Sequence, residues 1–516
     1  MINVHLLASA VLLFAGVTSW TSAREFEPVP QAGAAHSMRM ARLYGYGFDN
    51  WPDPVGSITF AHYAAAFYNV TSDPSDIQNV FDVQIYNGIA ANLSGGHCFA
   101  MSAMSIAMNT IGGYHGFCCP TAQYRRSSIT ETRVLANGAL KTYDGGPADP
   151  GLLEAMRVMQ SHQLSQSTIL TYIDQINSRV SRIGNRMLGF FEAAIANEGT
   201  ALLNVTKSIQ PLPGEGFMVA HSMIAYKVER TGLSEGRIYV VDPNRCIQYE
   251  TGTDSISHHA WYKDGRNYIK INGASWQYYG SVEPNVAPDI WPTGARVDGD
   301  VSNGHLLCVP ISRVGTAGVS LGSLGLAIGN IANGLRETMG MIFISGSKPH
   351  ITQISTPDGR RVLDPETQML EEDESLRVDR LVPIPMSMKL SQGQQTQEHR
   401  TAEVFAADRS YDTITVQANT GADGATLTYM GRGACASIET STPNSEISVG
   451  FYDLSSAQPS LIIDTKDSHT MKITVIQRYP NDQIERKILE SVAVAPGTTR
   501  LTIPMQPAPA VSLQHE

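Results

Sequence analysis

Three short motifs in this chain of 516 residues carry side chains suited to nucleophilic chemistry. The first is Gly95-Gly96-His97-Cys98-Phe99-Ala100-Met101-Ser102. Two glycines allow a tight backbone turn, and Cys98 then opens a run of small and apolar residues. A cysteine at a helix N-terminus faces unsatisfied N–H groups and the positive end of the dipole, which favour the reactive thiolate. The same position also suits a small buried hydrophobe. The second motif is Val219-Ala220-His221-Ser222-Met223-Ile224, a histidine in an apolar strand, where a satisfied core imidazole is the plain alternative. The third is Ile238-Tyr239-Val240-Val241-Asp242-Pro243-Asn244, an acid closing a strand, which reads equally as an ordinary Asp-Pro-Asn turn. A zinc site from His97, His115, Cys118 and Cys119 is disfavoured, because adjacent cysteines lack the spacing that brings two thiolates onto one metal. His258-His259 reads as solvated loop. With no phosphate-binding loop, dinucleotide fingerprint or His-Glu-x-x-His motif, no cofactor or metal is expected.

The elements that must position these motifs follow from periodicity. Residues 98–110 are apolar on every helical face and predict a buried helix. Asp149-Pro150 reads as an N-cap with proline at the first helical position, continued by Leu152, Leu153, Met156 and Met159. Residues 165–180 and 187–197 predict two further helices, the second ending at Gly199. The period then shortens. Residues 200–205, 218–229, 237–241, 267–271 and 276–280 read as strands, and Gly232 and Gly236 mark a hairpin between the second and third. Helices followed by antiparallel strands predict an α+β domain. In that hairpin His221 opens one arm and Asp242 closes the other, so the two meet. A nucleophile, a base and an orienting acid then occur in the order Cys98, His221, Asp242.

With these motifs the chain resembles the papain-like cysteine peptidase superfamily, especially its secreted branches, over roughly residues 40–285. Asn197-Glu198-Gly199-Thr200-Ala201-Leu202-Leu203 fits the resemblance too, as does Phe48-Asp49-Asn50-Trp51. The resemblance implies a helical half carrying Cys98, a sheet half carrying His221, and amide hydrolysis through a thioester. It also implies a side-chain amide that stabilises the oxyanion, a glutamine in the family about six positions before the cysteine. Here Asn92 stands there, in a glycosylation sequon with Leu93 and Ser94, and Gln84 is the weaker alternative. Phe99 replaces the family's tryptophan, and Ala220 stands where many relatives have glycine.

Composition limits the rest. A net charge of −11 without a basic cluster argues against nucleic-acid binding. The apolar run 6–17 and the small residues before Arg24 predict a signal peptide, residues 1–23, and a secreted or cell-surface protein; an uncleaved anchor is the alternative. There are six cysteines; with Cys98 free, at least one of the other five must be unpaired or pair between chains. The domain follows over 24–312, then a Gly-rich connector over 313–340. Residues 341–516 show short strands separated by turns, predicting a β-sandwich (Ig-like) region of one or two modules. The expected protein is a secreted cysteine hydrolase, with a peptide or protein as substrate and a sandwich that binds a surface ligand or positions something. The alternatives are an adhesion protein with an inactive papain-like domain and a thioester-based acyltransferase.

Overall fold

In a computed structural model the chain is a mixed helix and antiparallel-sheet protein of the α+β class. The structure describes most of residues 34–515; the longer segments outside the described residues are 1–33, 244–261, 280–295, 315–339, 364–381 and 384–399. The expected signal peptide and nearly all of the Gly-rich connector therefore lie outside the described residues. Among the described residues seven α-helices come first: α1 Ala34–Tyr44, α2 Phe60–Ala65, α3 Val80–Leu93, α4 Cys98–Thr110, α5 Pro150–Ser161, α6 Gln166–Asn177 and α7 Gly184–Glu198. A small hairpin, β1 Thr130–Val134 and β2 Leu140–Asp144, interrupts them.

Local chemistry explains several boundaries. The Asp149 carboxylate accepts from the N–H groups of Gly151 and Leu152 at 2.8 and 3.2 Å, with Pro150 inside the first turn. Helix α7 stops at Gly199, whose φ of +79° is left-handed. Helix α4 is buried on every side from Cys98 to Met108.

The sheet half has seven antiparallel strands: β3 Ala201–Leu212, β4 Glu215–Arg230, β5 Glu235–Val241, β6 Tyr268–Asn272, β7 Ser275–Tyr279, β8 Arg296–Gly299 and β9 Gly304–Val309. Their order is β8-β7-β6-β5-β4-β3-β9, so the last strand returns to the far edge beside β3. Helix α4 packs against β4, and α7 covers β4, β5 and β9. One apolar core joins helices and sheet.

Residues 340–515 hold two more seven-stranded antiparallel sheets. One contains β10 Gly340–Ser347 between Arg400–Ala407 and Ala425–Gly431, and continues through Ala434–Thr440, His469–Arg478 and Ile484–Val494. The other is centred on Thr413–Asn419, Glu446–Tyr452 and Ser460–Thr465. Ile342 and Ile344 point into a core shared with Val416, Val449 and Ile463 of the second sheet. Met341 and Phe343, alternating with them, belong to the core of the helical half instead. Val404, Met430, Cys435 and Ile476 do the same on neighbouring strands. The first sheet is therefore apolar on both faces, and α3 lies across β10 and Arg400–Ala407. Among the described residues Cys98, Cys118, Cys119, Cys308 and Cys435 form no disulfide.

Helix α5 runs into His162, a buried imidazole edge-on to Phe67 whose two ring nitrogens have no hydrogen-bond partner. Burial, and then the nearby charge of His115, lower its pKa to about 4. The folded state thus refuses a proton that the unfolded chain accepts below about pH 6.5. Stability is complete above that value and falls as pH drops from about 6.5 towards 4. At pH 5 the loss from this group is about 2 kcal/mol. His162→Leu should remove that loss, which urea unfolding at pH 7 and pH 5 measures. An unchanged difference between the two pH values would exclude His162 as its source.

Candidate active site

Cys98 is the first residue of α4, directed there by Gly96 and His97. The carbonyl of Gly96 accepts from Gln160 Nε2 at 2.8 Å, and Gln160 Oε1 accepts from the Ala100 N–H at 3.0 Å. One buried amide from α5 thus ties down the turn and caps a free N–H in the first turn. Asn50 braces the turn from another side. Its Oδ1 accepts from the His97 N–H at 2.6 Å, and its own N–H donates to the Pro243 carbonyl at 2.8 Å. Asn50 therefore spans from the residue before Cys98 to the residue after Asp242.

The His97 ring is packed between an indole and a carboxylate. It stacks on Trp51 with centroids 4.3 Å apart and planes 6° from parallel, and its Nε2 lies 3.3 Å from Asp53. Arg157 Nε donates to the same oxygen, Asp53 Oδ2, at 2.9 Å. Burial raises the Asp53 pKa, but His97 and Arg157 outweigh it and hold the carboxyl well below its usual range.

His221 does not open its strand, contrary to expectation. It lies in the interior of β4, which begins six residues earlier at Glu215. The geometry survives because β5 is short: its last residue, Val241, pairs with Ile224, leaving His221 just past the end of β5. Asp242, the next residue, turns back to it. His221 Nε2 donates to Asp242 Oδ1 at 2.8 Å. The backbone N–H of Asp242 donates to the Tyr262 hydroxyl at 3.1 Å, which fixes the turn.

Cys98 acts electrostatically on the same imidazole and favours its charged form. Burial lowers the imidazole's pKa, but the carboxylate of Asp242 and then Cys98 overcome it and raise the value to about 10. Cys98, His221 and Asp242 are each no more than 2% exposed. Their charges therefore interact in a poorly screening medium.

The structure thus brings together three of the four residues expected from sequence. The fourth, Asn92, falls in the last turn of α3 rather than in a loop, and its side chain lies outside the described residues. Gln84 is two turns earlier on the same helix. Sequence reasoning missed Gln160 and Tyr262, which carry no motif. Asn50 had a signal, since it sits between Phe48 and Trp51 in a segment already singled out.

No family model matches the chain, and neither a curated protein nor a solved structure matches it.

Proposed function

We propose that this chain is a secreted or cell-surface cysteine hydrolase of papain-like type, acting on an amide of a peptide or protein substrate. The observation that carries the reading is one imidazole bonded to a buried carboxylate and acted on by a cysteine at a helix N-terminus. Asp242 holds His221 in the orientation and charge state that keep Cys98 as thiolate. The thiolate attacks the carbonyl carbon, forming the S–C bond while the carbonyl electron pair moves to oxygen. His221 then gives its proton to the leaving amine, and the C–N bond breaks to leave a thioester. Water, deprotonated by His221, releases the acid and restores the cysteine.

The effect of Cys98 on the His221 imidazole favours an active domain over an inactive one. Hydrolysis and acyl transfer share every step to the thioester, and product analysis with an amine acceptor separates them.

The test is labelling by a peptide vinyl sulfone, with the adduct located by mass spectrometry because Cys118 is exposed and free. Wild-type protein should carry the adduct on Cys98, and Cys98→Ala should lose that adduct while keeping its fold. Equal labelling of the two proteins at other residues alone would sink the proposal.

A further inference from the structure

Asn50 and Trp51 form a strap between the two sides of the site, and the mechanism above leaves it unused. On one side the strap grips His97, the residue before Cys98. Asn50 Oδ1 accepts from the His97 N–H at 2.6 Å, and the Trp51 carbonyl accepts from its Nδ1 at 3.2 Å. The Trp51 indole lies flat against the same imidazole. On the other side the Asn50 N–H donates to the carbonyl of Pro243, the residue after Asp242, at 2.8 Å. Asn50, Trp51 and His97 are all buried, so water does not compete for these bonds.

The topology makes this link matter. Cys98 is fixed by α4 in the helical half, whereas His221 and Asp242 are fixed by β4 and the end of β5. Gln160 also holds the turn before Cys98, but it does so from α5 and ties helix to helix. Asn50 reaches instead from that turn to the turn that carries Asp242. A single residue thus stands between the backbone before the nucleophile and the backbone after the acid. Asp242 in turn holds Nε2 of His221 at 2.8 Å. A displacement of about 1 Å between reacting groups is enough to cost most of their joint effect.

We propose that Asn50 is a positioning residue that sets Cys98 against the His221–Asp242 pair, so that the imidazole acts on the sulfur. This rests on the hydrolase reading and says what keeps its nucleophile and base in register. Asn50 works through the backbone of His97 and of Pro243. The titratable groups around the pair are Asp242, the Tyr172 phenol on α6, which burial holds protonated, and His97 beside Asp53, to which Arg157 also donates. Asn50→Ala replaces none of them, so a change in the pH profile of Cys98 reports its placement against His221.

Iodoacetamide, which alkylates sulfur by displacing iodide, reads that placement on the intact chain when the Cys98 adduct is quantified by mass spectrometry. A thiolate held beside an imidazolium reacts at a level rate across neutral pH. A thiol without that partner reacts in proportion to its own ionisation, near about pH 8.5. Asn50→Ala should lower the rate at pH 7 about tenfold and leave the rate at pH 9 within about twofold of wild type, so the profile climbs where that of wild type is flat. Asn50→Ser, whose oxygen falls about 1.2 Å short of the amide oxygen, should act in the same direction to a lesser degree, and it serves where the alanine variant folds poorly. In a His221→Ala background the partner is already gone, and Asn50→Ala should then change the rate at pH 7 by less than about twofold. A flat profile in both Asn50 variants, or an equal loss that persists without His221, would overturn the role. p-Nitrophenyl acetate acetylates a thiolate as it expels p-nitrophenolate. Wild-type protein that takes up iodoacetamide but never acetyl at Cys98 would instead remove the hydrolase reading, and the role with it.

Discussion

His221→Ala should reduce turnover of an activated ester by about 10³-fold, because it removes both the charge partner of the thiolate and the group that moves the proton. The pH dependence identifies the cause. In the folded protein Asp242 and Cys98 raise the His221 pKa to about 10 against the opposing effect of burial. An unfolded histidine titrates near 6.5. The imidazolium, and the ion pairs it makes, therefore persist across neutral pH and are lost only as pH rises through about 10. Wild-type alkylation by iodoacetamide should accordingly stay level from about pH 7 to pH 9. In the alanine variant the thiol must ionise without a cation beside it, so the rate should climb through that interval towards the ordinary thiol value of about 8.5. A variant whose profile matched wild type would show that His221 does not hold the thiolate. The same pair has a stability consequence of the same sign: its contribution is complete below about pH 6.5 and declines towards pH 10.

Much of this site is legible in the sequence because it depends on local rules. Two glycines, a cysteine and an apolar run specify a turn feeding a buried helix, and Asp149-Pro150 and Gly199 mark helix ends by hydrogen bonding and φ alone. The meeting of His221 with Asp242 follows from hairpin geometry, even though His221 proved to lie inside β4 rather than at its start. What the sequence hides is non-local. Strand β9 pairs with β3 across about a hundred residues, and nothing in Gly304–Val309 names its partner. Gln160 gains meaning only when α4 and α5 are side by side. Helix α3 escaped notice because it is buried on more than one side. Phe81, Ile85, Ile89 and Leu93 fill the helical core, while Gly88 abuts the sandwich. A helix buried on several faces has no polar stripe to reveal its period.

That contact makes the first sheet of residues 340–515 part of the core of the helical half rather than a tethered module, and it sets up the largest expected effect on stability. A Cβ on Gly88 would fall 1.9 Å from a ring carbon of Phe343, and the ring is only 1% exposed. Phe343 stands on β10, whose other face is packed against the second sheet by Ile342 and Ile344, so the ring has no room to retreat. Gly88→Ala should therefore destabilise the protein by about 3 kcal/mol through overpacking, despite alanine's better helix propensity of about 1 kcal/mol. Phe343→Ala should also be costly, by about 3 kcal/mol, through the cavity it leaves. The double variant is the decisive measurement. Removing the ring makes space for the new methyl, so the two losses should fall short of additive by at least about 1 kcal/mol. Strictly additive losses in urea unfolding would mean that α3 and β10 do not meet as described. Helix α3 ends at Leu93, five residues before Cys98, so a shift of α3 on the sandwich is transmitted to the turn that presents the nucleophile. Gly88→Ala should consequently slow acetylation of Cys98 under conditions where the variant is still folded, whereas a surface change on the second sheet such as Lys466→Ala, whose side chain is 77% exposed, should not.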